Sequence, residues 1–159
     1  CLICDMNREE ESFGERMIAE NESFLAYLPF FTDYPFGVYI VSKKHRGSIA
    51  EFCDREKAAL AVMLKQVTGA FDCLYDKPFP YMMCFHQTPV NSPEYSAAGE
   101  YYHFHIEFYP PLREANKIKW YASSEMGAWA ACNPVAVEES AKLLRQAYAR
   151  FAAGAGGGL

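Results

Sequence analysis

Two groups of residues in this sequence have side chains that can do chemistry. The first lies in YYHFHIEFYPP, residues 101–111, which sets His103, His105 and Glu107 at alternate positions. Two imidazoles and a carboxylate can bind a metal ion, move protons or attack a phosphorus atom. In a strand these three side chains share one face, and the other face is expected in the core. The residues predicted for that core face are Tyr102, Phe104, Ile106 and Phe108. A plain solvent-exposed polar face is the competing interpretation.

The second group begins at Cys1-Leu-Ile-Cys4, a C-x-x-C pair. This spacing brings two thiolates to one side of a turn, where they can share a metal ion, and zinc requires four ligands at tetrahedral corners. A single pair is equally compatible with redox chemistry or with chance. Four histidines are available to complete such a site: His45, His86, His103 and His105. The residues alone do not select among them.

Two of these histidines, and one acidic run, also have ordinary interpretations. His45 lies in the basic segment Lys43-Lys44-His45-Arg46, which is typical of a solvated turn. His86 follows a predicted strand and is typical of a hydrogen-bonded loop histidine. The acidic run at residues 9–11 is expected to lie on the surface without a function.

Composition restricts the class of protein. The chain has 159 residues, of which 51% are hydrophobic, enough for one domain with a core. A net charge of −5 gives no reason to expect nucleic acid or a membrane surface as a partner. No apolar run reaches the roughly 20 residues that span a bilayer. We therefore expect a cytoplasmic protein with reduced cysteines. Four of them are expected to be small core residues: Cys53, Cys73, Cys84 and Cys132.

The periodicity of apolar residues predicts the elements that must position these groups. Strands are predicted over residues 13–20, 24–30, 38–41, 81–85 and 101–109. Helices are predicted within 51–76, with Asp54 as N-cap, and over 135–151, with Asn133 as cap and Pro134 at the first position. Residues 117–131 fit either a strand or a helix. The order of strands, helix, strands and helix indicates an α+β fold with a mostly antiparallel sheet.

The motifs in this order resemble a known superfamily. A C-x-x-C pair, a strand ending in Lys-Lys-His, a long helix and an H-x-H strand before prolines resemble the histidine-triad superfamily. The longer segments FPYMMCFHQTPVNSPEY, YYHFHIEFYPPLR and KIKWYASSEMGAW resemble the C-terminal half of galactose-1-phosphate uridylyltransferase. The resemblance implies a histidine-triad-like domain at residues 1–151. The glycine-rich residues 152–159 are expected to form a flexible tail.

The resemblance also implies an activity for the whole enzyme. In that family the N-terminal half carries an H-P-H-G-Q motif. Its second histidine attacks UDP-glucose and accepts the uridylyl group, which is then transferred to galactose-1-phosphate. The present sequence contains no H-P-H. We therefore expect a C-terminal domain of a nucleotidyltransferase of galactose metabolism, without a catalytic residue of its own and inactive alone. The resemblance further implies a homodimer.

Two alternative metal sites follow from the resemblance. The superfamily's zinc ligands correspond here to Cys1, Cys4, His45 and His103. Some members instead bind iron or zinc through residues that match His86, His105 and Glu107, with a glutamate further upstream. Those members commonly have histidine in place of Glu107 and lack the C-x-x-C pair, so the cysteine site with Zn²⁺ is favoured.

The segment after the prolines resembles a substrate-facing segment that reaches the hexose phosphate in the partner subunit. This assigns Lys119 to the phosphate and Glu125 to sugar hydroxyls. Without the resemblance, both would be expected to be exposed charges. Two other functions stay open: a binding domain related to nucleotide-sugar phosphorylases, and a stand-alone nucleotide hydrolase that uses His105. Glu107 disfavours the hydrolase, because a carboxylate beside the nucleophile repels phosphate.

Overall fold

The predicted antiparallel sheet is present, with five strands in the order β1-β2-β3-β5-β4. The structure, a computed structural model, describes residues 1–155. The sheet consists of β1 (Met17–Glu20), β2 (Phe24–Tyr27), β3 (Tyr39–Ser42), β4 (Met82–His86) and β5 (His105–Tyr109). A separate hairpin pairs β6 (Leu112–Glu114) with β7 (Lys117–Ile118). The helices are α1 (Leu2–Phe13), α2 (Asp54–Leu74), α3 (Ser124–Ala128) and α4 (Val137–Arg150). This arrangement confirms the predicted α+β class.

One face of the sheet carries the main hydrophobic core. Ile40 and Ile106 are paired across β3 and β5 and are fully buried, as is Phe108 two residues further on. Helix α2 supplies the facing side chains, among them Met63 and Phe71, and α4 packs beside it. Each fully buried aliphatic or aromatic side chain stabilises the fold by about 1.5 to 3 kcal/mol. The core therefore fixes the positions of β3 and β5, the strands that lie next to the C-x-x-C pair and to the group of His103, His105 and Glu107.

Helix α1 covers the opposite face of the sheet, and the sequence analysis did not predict it. Its residues Ile3 and Met6 pack against a small cluster of Leu25, Tyr27 and Val41. The helix ends at Gly14, which adopts a left-handed conformation (φ 75°) that glycine tolerates best. The predicted strand over 13–20 is consequently wrong at its start, and β1 begins only at Met17.

A buried ion-pair network fastens α1 to the rest of the domain. Glu10 was expected at the surface, but it is only 3% exposed, and Arg16 Nε donates to its Oε2 at 3.0 Å. Arg16 Nη1 also bonds Glu138 Oε1 on α4 at 3.0 Å. Burial raises the pKa of Glu10 even though Arg16 opposes that effect. The expectation failed because the helical period turns one residue of the acidic run inward.

Several element boundaries differ from the predictions. Helix α2 begins at Asp54, because Cys53 is its N-cap and shares a capping box with Glu56. Helix α4 begins at Val137, so Asn133 precedes it and accepts a hydrogen bond from the backbone N–H of Val135 instead. The ambiguous segment 117–131 contains both a short strand and a short helix.

Three of the four cysteines assigned to the core are exposed. Only Cys73 is buried, whereas Cys53, Cys84 and Cys132 are accessible. Cys84 lies on β4, an edge strand of which four of five residues are exposed. Apolar neighbours in the sequence do not therefore guarantee a core position, since an edge strand leaves its neighbours exposed as well.

Phe151–Ala155 forms one further helical turn after α4. The rest of the predicted tail at 152–159, residues 156–159, lies outside the described residues. Among residues 1–155, no helix combines the length and the apolar character needed to cross a bilayer.

Replacing Arg16 with Met should strongly destabilise the domain. The change leaves the buried Glu10 carboxylate without its partner, and breaking a buried pair costs about 3 to 5 kcal/mol. Arg8→Met is the matched control, because Arg8 pairs with Asp5 and both are largely exposed, so at most about 1 kcal/mol is expected. Urea unfolding of both variants provides the measurement. Equal midpoints for the two variants would contradict the buried network.

Candidate functional site

Four potential metal ligands converge from three distant parts of the chain. Cys1 precedes α1 and Cys4 lies in its first turn, so the helix places both sulfurs on one side. His45 follows β3, and His103 precedes β5. One donor atom from each of the four residues lies within 4.8 Å of every other. The structure thus brings together the four residues that the resemblance implied.

The distances between these donors fit a tetrahedral metal ion. Cys4 Sγ lies 3.4 Å from His45 Nδ1 and 3.4 Å from His103 Nδ1, and Cys1 Sγ lies 3.8 Å from His103 Nδ1. Zinc–sulfur bonds of about 2.3 Å and zinc–nitrogen bonds of about 2.0 to 2.1 Å place tetrahedral donors about 3.4 to 3.8 Å apart. The donor set of two thiols and two imidazoles is also one that zinc uses in structural sites.

The second nitrogen of each ring is held by a backbone carbonyl. His103 Nε2 donates to Ser42 O at 2.8 Å, and His45 Nε2 donates to Gly99 O at 2.9 Å. These bonds place the proton on Nε2 and leave the lone pair of Nδ1 directed at the sulfurs. Burial lowers the pKa of His103 to about 4, so its imidazole is neutral at pH 7. Both rings therefore present metal-competent nitrogens to a possible metal-binding cluster.

A second polar cluster lies next to the first, on the strands β4 and β5. The rings of His86 and His105 stack at 4.7 Å with an interplanar angle of 7°. Glu107 Oε1 lies 3.1 Å from His105 Nε2 and 3.6 Å from His86 Nε2. The predicted common face is therefore shared by His105 and Glu107, while His103 turns to the cysteines. Tyr102 is also displaced from its predicted core position, and its ring lies 6.2 Å from that of His105.

Hydrogen bonds hold Glu107 in its ionised form. Burial alone would raise its pKa, but hydrogen bonds from His105, Tyr109 and Tyr39 outweigh that effect and lower the pKa to about 2. His105 Nδ1 lies 2.8 Å from the carbonyl oxygen of His103, so both ring nitrogens of His105 face oxygen acceptors. The Nε2 atom that a nucleophile would use is therefore engaged by a carboxylate. Neither tyrosine was predicted from the sequence, although Tyr109 shares the strand face of Glu107 by alternation.

Residues 119–133, here named the arm, contain the two residues assigned to substrate. Lys119 and Glu125 are not exposed, since their side chains are 5% and 10% accessible. Lys119 Nζ donates to Glu125 Oε1 at 2.7 Å and to Asp33 O at 2.8 Å, and it lies 4.6 Å from the centre of the Tyr121 ring. The hydrogen bond from Lys119 lowers the pKa of Glu125. The two residues are thus partners of each other in this conformation.

Comparison with known proteins identifies a family that matches this chain and proteins that are similar to it. The family described as galactose-1-phosphate uridyl transferase, C-terminal domain, matches residues 1–147. A galactose-1-phosphate uridylyltransferase of Thermotoga maritima is 44% identical over 146 residues, which cover 92% of this chain and 44% of that protein. A solved uridylyltransferase superposes with a TM-score of 0.82 at 33% identity, over 94% of this chain and 45% of the other. The chain spans less than half the length of these relatives.

A more distant structure shows the fold. A zinc-bound histidine triad family protein of Mycobacterium smegmatis superposes with a TM-score of 0.59 over 96% of each chain, at 19% identity. An identity this low supports a statement about fold alone. The likeness confirms the predicted histidine-triad-like fold.

The Lys119–Glu125 pair makes a prediction about stability. Lys119→Met should lower the midpoint of thermal unfolding, because it removes the ammonium that bonds Glu125 and the Asp33 carbonyl inside the fold. The control is Lys117→Met, two residues away, which removes only an exposed pair with Glu114. Calorimetry of both variants decides the matter. Indistinguishable midpoints would show that the Lys119 contacts do not contribute to folding.

Proposed function

Because this chain belongs to the galactose-1-phosphate uridylyltransferase family, as that family's C-terminal domain, we propose that it works as half of a UDP-glucose–hexose-1-phosphate uridylyltransferase. The family match over residues 1–147 carries this proposal. Within such an enzyme, the nucleophilic histidine belongs to the N-terminal half, and this chain contributes no catalytic residue. The substrates of the whole enzyme would be UDP-glucose and galactose-1-phosphate. A homodimer and a cytoplasmic location stay predictions.

We further propose that Cys1, Cys4, His45 and His103 hold one Zn²⁺ ion. The donor separations and the carbonyl bonds behind both imidazoles support this assignment. Four protein ligands leave no open position for a substrate, so the role of the metal here is structural. The ligands would join α1 to the segments that follow β3 and precede β5. That junction matters because α1 buries only a small apolar cluster of its own.

The arm is proposed to supply the contacts to the hexose phosphate. Lys119 would bond the phosphate and Glu125 would accept hydrogen bonds from sugar hydroxyls. In the present conformation Lys119 is already engaged by Glu125 and the Asp33 carbonyl, with the Tyr121 ring beside it. An ammonium group has three N–H donors, and Lys119 uses two of them in these hydrogen bonds, so a third donor is left for the phosphate. The observed pair keeps both groups ordered and close together.

A stand-alone nucleotide hydrolase is the weaker alternative. It would require His105 to attack phosphorus through Nε2, but that atom lies 3.1 Å from the ionised carboxylate of Glu107. The same carboxylate would repel an incoming phosphate. The geometry around His105 therefore supports the role of a supporting domain better than that of an independent catalyst.

The zinc proposal predicts metal content and a dependence of folding on metal. We expect about one zinc per chain, and we expect Cys4→Ser to lower both zinc content and the free energy of unfolding. Cys84→Ser is the control, since Cys84 is an exposed cysteine on the edge strand β4 and should leave both unchanged. Elemental analysis and urea unfolding provide the two readouts. A stable wild-type protein without metal would refute the assignment.

The arm proposal predicts a kinetic effect in an intact enzyme that contains this chain. Lys119→Met should raise KM for the sugar phosphate about ten- to a hundredfold, because a charge-assisted hydrogen bond contributes about 1.5 to 3 kcal/mol. Glu125→Gln should mainly weaken discrimination between galactose-1-phosphate and glucose-1-phosphate. Both are assayed below their unfolding midpoints, with Lys117→Met as control. Wild-type KM in Lys119→Met would show that the arm does not contact substrate.

A further inference from the structure

Both ends of the arm are fastened to one turn of the chain, residues 32–34. At the first end, Lys119 Nζ donates to the carbonyl of Asp33 at 2.8 Å. At the other end, Asn133 Nδ2 donates to the carbonyls of Thr32 at 3.0 Å and Tyr34 at 3.3 Å. Three consecutive carbonyls of this turn thus accept hydrogen bonds from two residues of the arm.

The turn that receives these bonds is itself firmly placed. Thr32 is only 8% exposed, and its hydroxyl lies so close to Gly37 that a Cβ at that position would approach it to 2.1 Å. The ring of Tyr34 packs edge-on against that of Tyr109 at 5.5 Å. Because Tyr109 belongs to β5 and its hydroxyl bonds Glu107, the turn is tied directly to the sheet.

The middle of the arm has few anchors of its own. Trp120, Met126 and Trp129 are 81%, 67% and 93% exposed, so they bury little surface against this domain. The arm's helix α3 has only five residues, and its flanking residues Ser123 and Trp129 both have positive φ angles, 49° and 52°. Such backbone conformations are unfavourable for non-glycine residues and persist only when the surroundings impose them. The conformation of the arm therefore depends on the bonds at its two ends and on Glu125, which accepts from Lys119 Nζ at 2.7 Å and from the backbone N–H of Cys132 at 3.1 Å.

We propose that Asn133 is a positioning residue for the arm, and through it for Lys119 and Glu125. Its amide closes the arm into a loop whose two ends meet at the turn 32–34. This orders the segment before substrate arrives, which reduces the entropy lost on binding. The inference rests on the proposed function in one respect only, namely that the arm contacts the hexose phosphate. Asn133 itself touches no substrate in this account.

The attachment of the arm to the turn 32–34 through Asn133 can be tested without any substrate. Asn133→Asp keeps the shape and the oxygen that accepts from Val135 N–H, but it replaces the two N–H donors with a second acceptor facing the carbonyls. Hydrogen exchange followed by mass spectrometry should show exchange of amides in residues 119–133 about tenfold faster, while β2, β3 and β5 stay unchanged. Asn133→Ser, whose shorter side chain loses the amide nitrogen that donates to Thr32 O and Tyr34 O, gives the same result if the aspartate variant folds poorly.

The matched control is Asn116→Asp, which makes the same chemical change in the turn between β6 and β7. Asn116 accepts from Lys77 Nζ at 3.1 Å, so an added carboxylate there is compatible with its partner. Exchange in the arm should stay at the wild-type rate in this variant. Wild-type exchange in both Asn133 variants would overturn the fastening, whatever the enzyme's function.

Kinetics of the intact enzyme then test the positioning role. Asn133→Asp should raise KM for the sugar phosphate about tenfold with kcat within about twofold of wild type, as expected when pre-ordering of a binding group is lost. Faster arm exchange together with an unchanged KM would overturn the positioning role while leaving the fastening intact. If Lys119→Met also left KM unchanged, the proposed substrate role of the arm would fail separately from the fastening.

Discussion

The placement of α1 depends on one cluster of four side chains. They are Cys1 and Cys4 at the start of α1, His45 after β3 and His103 before β5. The helix buries three residues of the sheet, Leu25, Tyr27 and Val41, against Ile3 and Met6, which is little apolar area for a helix of 12 residues. Its remaining anchors are polar: the Glu10–Arg16 pair, Asn7 bonded to the carbonyl of Ser42, and the two cysteines beside His45 and His103. A metal at this point would replace three weak sulfur–nitrogen contacts with four metal–ligand bonds and would thereby fix α1 over this face of the sheet.

The same face continues from the cysteine cluster to the arm without a break in contact. His103 joins the cysteines, and its carbonyl bonds His105, which bonds Glu107 in turn. Tyr109 then connects Glu107 to Tyr34, and Tyr34 packs against Tyr121 of the arm at 6.0 Å. Contacts along β5 and the turn 32–34 therefore connect the four potential metal ligands, the histidine–carboxylate cluster and the arm.

The sequence predicted what depends on short periods and missed what depends on contacts between distant residues. Alternation located β5 and the burial of Ile106 and Phe108, and the helical period located α2. Helix α1 was not predicted, because its apolar stripe is short and is followed by a run of polar residues. The burial of Glu10 and the pairing of Lys119 with Glu125 were not predictable, since each requires knowing which segments meet. The four potential metal ligands were identified only through the resemblance, because four histidines were available and spacing does not select between them.

X-ray absorption at the zinc edge of the purified chain is the sharpest test of the proposed zinc site, because it identifies and counts the ligand atoms around the metal. We expect two sulfur ligands at about 2.3 Å and two nitrogen ligands at about 2.0 to 2.1 Å. A shell of nitrogen and oxygen atoms without sulfur would contradict the assignment to Cys1, Cys4, His45 and His103.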